Sequence, residues 1–125
     1  MAEPRRCSCC LVVEDEFLVA DSVEDCLAEA GYEVCGPLGS TREALAWLER
    51  NTPSAAIVDY GLKHGPSNEV VRELRARKVP VVIFSGSGRE QALEFATVPW
   101  VLKSQGCAFL VKTLGTLVTP AGAPD

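Results

Sequence analysis

The sequence predicts an α/β domain, a doubly wound parallel sheet of five strands with helices on both faces. Two observations carry this. First, short apolar runs alternate along the chain with stretches of helical period, and that order calls for a parallel sheet with right-handed crossovers. Second, the best of these runs, Ala55-Ala56-Ile57-Val58, is continuously apolar, as befits a strand buried on both faces.

The elements follow in order. Cys7 to Val13 is the first strand. Asp15 to Ala30 has helical spacing in Phe17, Val19, Ala20, Val23, Leu27 and Ala30, and Gly31 ends it. Tyr32 to Cys35 is a short second strand, broken by Gly36-Pro37. Ser40-Thr41-Arg42-Glu43 matches a capping box and opens a second helix with Ala44, Leu45, Trp47 and Leu48 inward, which stops by Pro53. Ala55 to Asp59 is the third strand. Ser67 to Lys78 is a third helix with Val70, Val71 and Leu74 as its apolar face. Val81 to Phe84 is the fourth strand, and Arg89 to Ala96 is at best a two-turn helix. Trp100 to Leu102 is the fifth strand. Cys107 to Val118 carries the last helix, with Phe109, Leu110, Leu114, Leu117 and Val118 at core spacing. The domain is expected over residues 7–118, with 1–6 as an N-terminal extension and 119–125 as a flexible tail.

With 125 residues, 47% of them hydrophobic, the chain suits one domain with a real core. The net charge of −5 argues against nucleic acid or an anionic membrane as partner. No apolar stretch is long enough to span a bilayer, and Met1 to Arg6 leads into only a short apolar run, unlike a signal peptide. The chain therefore reads as cytoplasmic. The six cysteines raise the options of a disulfide scaffold or a metal site. The reading adopted is that most are small buried hydrophobes. The other is a redox or metal role for Cys7, Cys9 and Cys10, a cluster that strand alternation would split between two sheet faces.

The strand ends hold the chemistry. The first ends on Glu14-Asp15-Glu16, the third on Asp59, the fourth on Ser85, the fifth on Lys103. In open α/β sheets ligands bind at the carboxyl edge. Carboxylates converging there repel unless a cation joins them or one takes a proton. The hypothesis is that Mg²⁺ is the cation and that Asp59 accepts a phosphoryl group.

Val12-Val13-Glu14-Asp15-Glu16, the strand-ending Asp59, Phe84-Ser85-Gly86 and Leu102-Lys103, in that order, closely resemble a bacterial two-component response-regulator receiver domain. The resemblance runs from about Cys9 to Val118. It implies the flavodoxin-like strand order 2-1-3-4-5. It implies that Asp59 is the nucleophile that becomes an aspartyl phosphate, in a reaction that rests on positioning and charge neutralisation. Asp15 would be a direct Mg²⁺ ligand, Glu14 a ligand through water, and the Gly61 carbonyl would complete the set with Asp59. Lys103 would pair with a phosphoryl oxygen, Ser85 would hydrogen-bond another, and Trp100 would be the switch aromatic. The partners implied are a histidine kinase or histidine phosphotransfer protein and a downstream protein target, with no nucleic acid and no membrane. The protein would be a phosphoacceptor, not an enzyme in the usual sense. With no output domain expected after Val118, output would be protein binding or phosphorelay.

Two features depart from the family pattern. Ser104 stands where proline usually follows the lysine, so the bond is expected to be trans and Lys103 slightly displaced. The segment between Ser85 and Trp100 is short, so the fourth helix should be truncated or irregular. The short fourth helix, with Phe84-Ser85-Gly86 after the fourth strand, resembles a receiver subset with a Phe-Ala-Thr-Gly type motif there, often stand-alone alphaproteobacterial proteins. One rival reading is a pseudo-receiver that binds partners without phosphorylation. Another is an aspartyl-intermediate phosphatase, which usually carries a second carboxylate where this chain has Gly61.

Overall fold

The computed structural model describes residues 3–62, 65–86, 88 and 93–118. Five strands form one parallel sheet: β1 (Arg5–Val13), β2 (Val34–Leu38), β3 (Asn51–Val58), β4 (Val81–Ser85) and β5 (Trp100–Leu102). Their order is β2-β1-β3-β4-β5, as the resemblance implied. The α-helices are α1 (Phe17–Glu29), α2 (Thr41–Leu48), α3 (Asn68–Ala76) and α4 (Cys107–Gly115). Where a helix between β4 and β5 was expected to be short or irregular, the described residues hold a single 3₁₀ turn, Leu93–Phe95.

Alternation along the strands splits the core in two. Leu11, Val13, Ala56, Val58, Val81 and Ile83 face one way, into a core closed by Ala44 and Leu48 of α2 and Val70, Val71 and Leu74 of α3. Cys10, Val12, Ala55, Ile57, Val82 and Phe84 face the other, against Val23 and Leu27 of α1 and Leu110 and Leu114 of α4. Both faces of the central strands are therefore dry.

Several boundaries differ from expectation, each for a tertiary reason. β2 runs on through Gly36-Pro37 to Leu38. It is an edge strand, where a missing N–H costs no ladder bond. Gly36 has φ +96°, and a Cβ there would lie 2.7 Å from the Val12 carbonyl oxygen, so only glycine fits against β1. β1 begins at Arg5 and β3 at Asn51, because the two pair from Arg5–Asn51 onward, across a register shift between Cys7 and Cys10 that takes up Pro53. Phe17 and Leu18 at the start of α1 are 78% exposed, so the buried stripe is Ala20, Val23 and Leu27. Ala30 is likewise exposed. α4 stops at Gly115, short of the expected Val118; within it Phe109 is 45% exposed and only Leu110 and Leu114 are fully buried, and Leu117 beyond it is 39% exposed. At α2 the Ser40 hydroxyl accepts from the Glu43 N–H at 3.1 Å, while the Glu43 carboxylate reaches the Gly39 N–H at 2.9 Å, one residue beyond a reciprocal capping box.

The cysteine reading needs the larger correction. Four of the six are paired, Cys9 with Cys35 and Cys26 with Cys107, leaving Cys7 half-buried and Cys10 buried as free thiols. Cys7 and Cys10 have C-x-x-C spacing, yet an extended strand holds residues three apart at about 10 Å, too far to join. Burial pushes the Cys10 thiol up to about 12. It is an inert core residue.

Candidate functional site

β1 and β3 pair side by side with Val13 opposite Val58, so the residues that follow them, Glu14 and Asp59, leave the sheet together. Asp59 donates its N–H to the Val13 carbonyl at 2.9 Å and is only 4% exposed. Glu14 is 5% exposed and Asp15 half-buried. One carboxylate oxygen from each of Glu14, Asp15 and Asp59 lies within 4.8 Å of the other two.

Lys103 arrives from the far edge of this group. The Gln105 side chain accepts the Leu102 N–H at 2.9 Å, which turns the chain sharply after β5 into a 3₁₀ turn, Lys103–Gln105. The Lys103 ammonium then lies 3.0 Å from Asp59 Oδ2 and 3.2 Å from each of the Glu14 and Glu16 carboxylates. Gly36–Pro37 is the cis peptide among the described residues, so Lys103–Ser104 is trans, as expected. The expected displacement of Lys103 does not keep it from Asp59, because its flexible four-carbon stem reaches across.

The electrostatics follow from the count of charges. One ammonium pairs with three carboxylates, beside a fourth from Asp15, and Glu14 and Asp59 are nearly out of water. Burial, then the charge of Asp59, raises Glu14 to about 7, against the opposing pull of the Glu16 N–H and Lys103. Lys103 is raised: its partial burial lowers it, but the Asp59 hydrogen bond and the charges of Asp59 and Glu14 outweigh that. A cluster of hard oxygen donors with surplus negative charge, two of its members buried, suits a small divalent cation such as Mg²⁺, which needs few carboxylates.

Backbone contacts hold Asp59 in place. The Gly61 N–H donates to its Oδ1 at 3.2 Å. The Ser67 hydroxyl, fully buried, donates to its main-chain carbonyl at 2.9 Å, and the Ser67 N–H bonds the Tyr60 carbonyl at 3.1 Å. These bonds tie Asp59 and Tyr60 to the start of α3. Ser67 was readable only as a helix-start residue, and its bond spans a loop that leaves no sequence signal. The Glu16 pairing with Lys103 was also missed, although Glu16 stood in the acidic run. Ser85 is buried at the end of β4, opposite Leu102, and so sits one residue from Lys103 on the same edge. Trp100 lies lower on β5, its ring 5.5 Å from that of Tyr60, the neighbour of Asp59. His64 and Ser87 lie outside the described residues.

A parallel sheet in this order, with its acids and one lysine gathered at the carboxyl edge, defines the CheY-like class of α/β signalling domain. The chain belongs to the response regulator receiver domain family, whose sequence profile matches residues 10–114. It is 28% identical to the transcriptional regulatory protein PdtaR of Mycobacterium tuberculosis over 96 residues, 76% of this chain and 45% of that protein. The chain thus spans about half the length of the curated relative it matches. Among solved structures, SdrG of Sphingomonas melonis Fr1 is 30% identical with a TM-score of 0.74, over 94% of this chain and 98% of that one. The receiver domain of the response regulator PhyR from Erythrobacter litoralis has a TM-score of 0.77 at 19% identity, over 94% of this chain and 95% of that one, a likeness of fold. Receiver domains are signalling modules of two-component systems.

Proposed function

We propose that this receiver accepts a phosphoryl group on Asp59 from the phosphohistidine of a histidine kinase or histidine phosphotransfer protein. The observation that carries the reading is the placement of the Asp59 carboxylate. It is nearly buried, one oxygen fixed by the Gly61 N–H and the other by the Lys103 ammonium. A carboxylate so held is a positioned nucleophile, and positioning is most of what phosphoryl transfer asks of a protein. An Asp59 oxygen forms the new bond to phosphorus as the nitrogen–phosphorus bond of the donor breaks, and the imidazole leaves with its electron pair. Lys103, already between Asp59 and Glu14, offsets the charge on one phosphoryl oxygen. The Ser85 hydroxyl on the neighbouring strand end receives another. Glu14, Asp15, Asp59 and the Gly61 carbonyl would hold Mg²⁺, which when bound offsets the remaining charge of the transferring group. Trp100, packed against Tyr60, is the candidate switch aromatic through which the phosphorylated edge alters the surface offered to a downstream protein. Such a phosphorelay component belongs in the cytoplasm, and its partners are proteins.

The test is phosphoryl incorporation from a small acyl phosphate donor, read by intact mass with Mg²⁺ present. The wild-type chain should gain one phosphoryl group, and Asp59→Asn should gain none while keeping its fold by circular dichroism. Incorporation at another aspartate would overturn the assignment. One observation favours a second reading, a receiver fold that acts by binding alone. Lys103 already bridges Asp59, Glu14 and Glu16, so part of the site's charge is offset without a metal. Silence of the wild-type chain in the same experiment would select that reading.

A further inference from the structure

The Cys26–Cys107 pair stands outside the acid–lysine site, and its placement gives it a lever on that site. Cys26 lies on α1, which begins directly after Glu16. Cys107 is the first residue of α4, four positions past Lys103. Only a closed turn separates Cys107 from that lysine: the Gly106 N–H bonds the Lys103 carbonyl at 3.2 Å, and Gly106 takes φ +89°. The two segments are therefore tied twice, once by the Glu16–Lys103 ion pair at the site and once by sulfur. Both cysteines are half-buried, so small thiols can reach them, unlike Cys10 in the core. Their Cα atoms stand 6.4 Å apart, close enough to join without moving the helices. The cytoplasmic role proposed above, on which this step rests, places the pair in a reducing compartment. Disulfides there are transient and responsive rather than structural.

We propose that Cys26 and Cys107 form a reversible thiol–disulfide couple that tightens or frees the segment carrying Lys103. The reductant and oxidant are low-molecular-weight thiols and their disulfides. A thiolate of the glutathione class attacks Cys26 Sγ, the bond between the two protein sulfurs breaks, and Cys107 leaves as a thiolate and takes up a proton. The start of α4 stabilises that anionic sulfur, which makes Cys107 the better leaving group. A second glutathione thiolate attacks the glutathione sulfur of the mixed disulfide, freeing Cys26 as a thiolate and forming oxidised glutathione. Two electrons reach the protein, and two glutathione thiols become one disulfide. The reverse sequence closes the pair.

The experiment uses the full chain with Cys9→Ser and Cys35→Ser, so that one pair is read. It is equilibrated in mixtures of reduced and oxidised glutathione, alkylated, and digested for mass spectrometry. Cys26 and Cys107 should become free together, as one couple, within the range of mixtures tested. Two free thiols in the most oxidised mixture, or a link surviving the most reduced one in the folded protein, overturns the proposal. Hydrogen exchange at residues 106–111 should be about tenfold faster in the reduced protein. The single variant Cys26→Ser should match the reduced form. Equal exchange in both states overturns the lever even if the couple exists. Neither readout needs phosphoryl transfer. A chain that behaves as a couple yet takes no phosphoryl group keeps this inference and loses the phosphoacceptor reading.

Discussion

Glu14 is the residue where burial and charge meet most sharply. Its ordinary value of 4.5 rises to about 7 in the fold, so between those limits the folded state holds a proton that the unfolded chain has released. Stability without metal should therefore fall as pH rises through that window. Glu14→Gln, which cannot lose a proton, should flatten this part of the profile in thermal melts. The same proton competes with a cation, so Mg²⁺ affinity should climb with pH across the window and level off above it. Calorimetry in buffers of different ionisation enthalpy would register the released proton, and an affinity independent of pH would contradict the link. Asp15 has another part to play. Its carboxylate is half-buried and within reach of the other two, so Asp15→Ala should weaken Mg²⁺ binding by about tenfold or more. Unchanged affinity would mean that these acids do not form the metal site. The acids themselves were legible in the sequence, because each ends an apolar run. The pairing of Glu16 with Lys103 was not, because it spans 87 residues and depends on how the chain turns after β5.

At the scale of elements, the connection between β4 and β5 is the distinctive part of this receiver. The described 3₁₀ turn is held at two points. Phe95 is buried among the side chains between sheet, α2 and α3. Glu94 receives a bidentate pair of bonds from Arg72 of α3, at 2.8 and 2.9 Å, and a third from Asn68 at 2.7 Å. The exposed ion pair sets orientation more than stability. The aromatic anchor sets stability. Phe95→Ala should cost about 3–5 kcal/mol in urea unfolding, the usual toll for emptying a fully buried aromatic site. A loss below about 1 kcal/mol would show that the surroundings collapse to fill the gap. A short or irregular element was legible from the brevity of the segment and its two glycines, Gly86 and Gly88. That Phe95 anchors it was not, because one aromatic in a short segment has no periodicity to reveal its direction. The same limit explains α1. Phe17 fits the helical spacing, yet it is 78% exposed, because spacing along one helix does not say how far the packed face extends.

Across the whole molecule, the two cores lock the sheet between α2–α3 on one side and α1–α4 on the other, leaving its carboxyl edge as the place where change can be expressed. Trp100 connects that edge to the α2–α3 side, where it packs with Tyr60. Trp47 packs into the same core from the end of α2, near the start of β3 and far from the acids. Addition of Mg²⁺ and then beryllofluoride should therefore change Trp100 emission and leave Trp47 as a steady background. Trp100→Phe should remove the response, and Asp59→Asn should abolish the beryllofluoride step. A response that survives in Trp100→Phe would assign the motion elsewhere.

The class of fold and the chemistry of its rim are written locally along the chain. Strand burial on two faces, helix periodicity and the residue that ends each strand are local properties, written in spacing and residue type. Those properties place Glu14, Asp15, Asp59, Ser85 and Lys103 on one edge whatever the details of packing. Tertiary structure alone decided the rest. β2 accepts Gly36-Pro37 because it is an edge strand, β1 and β3 lengthen because each supplies the other's hydrogen bonds, and Cys26 meets Cys107 because α1 and α4 lie side by side on one face. Each of these depends on a partner distant in sequence, and spacing along the chain carries no record of which distant residue will be the neighbour.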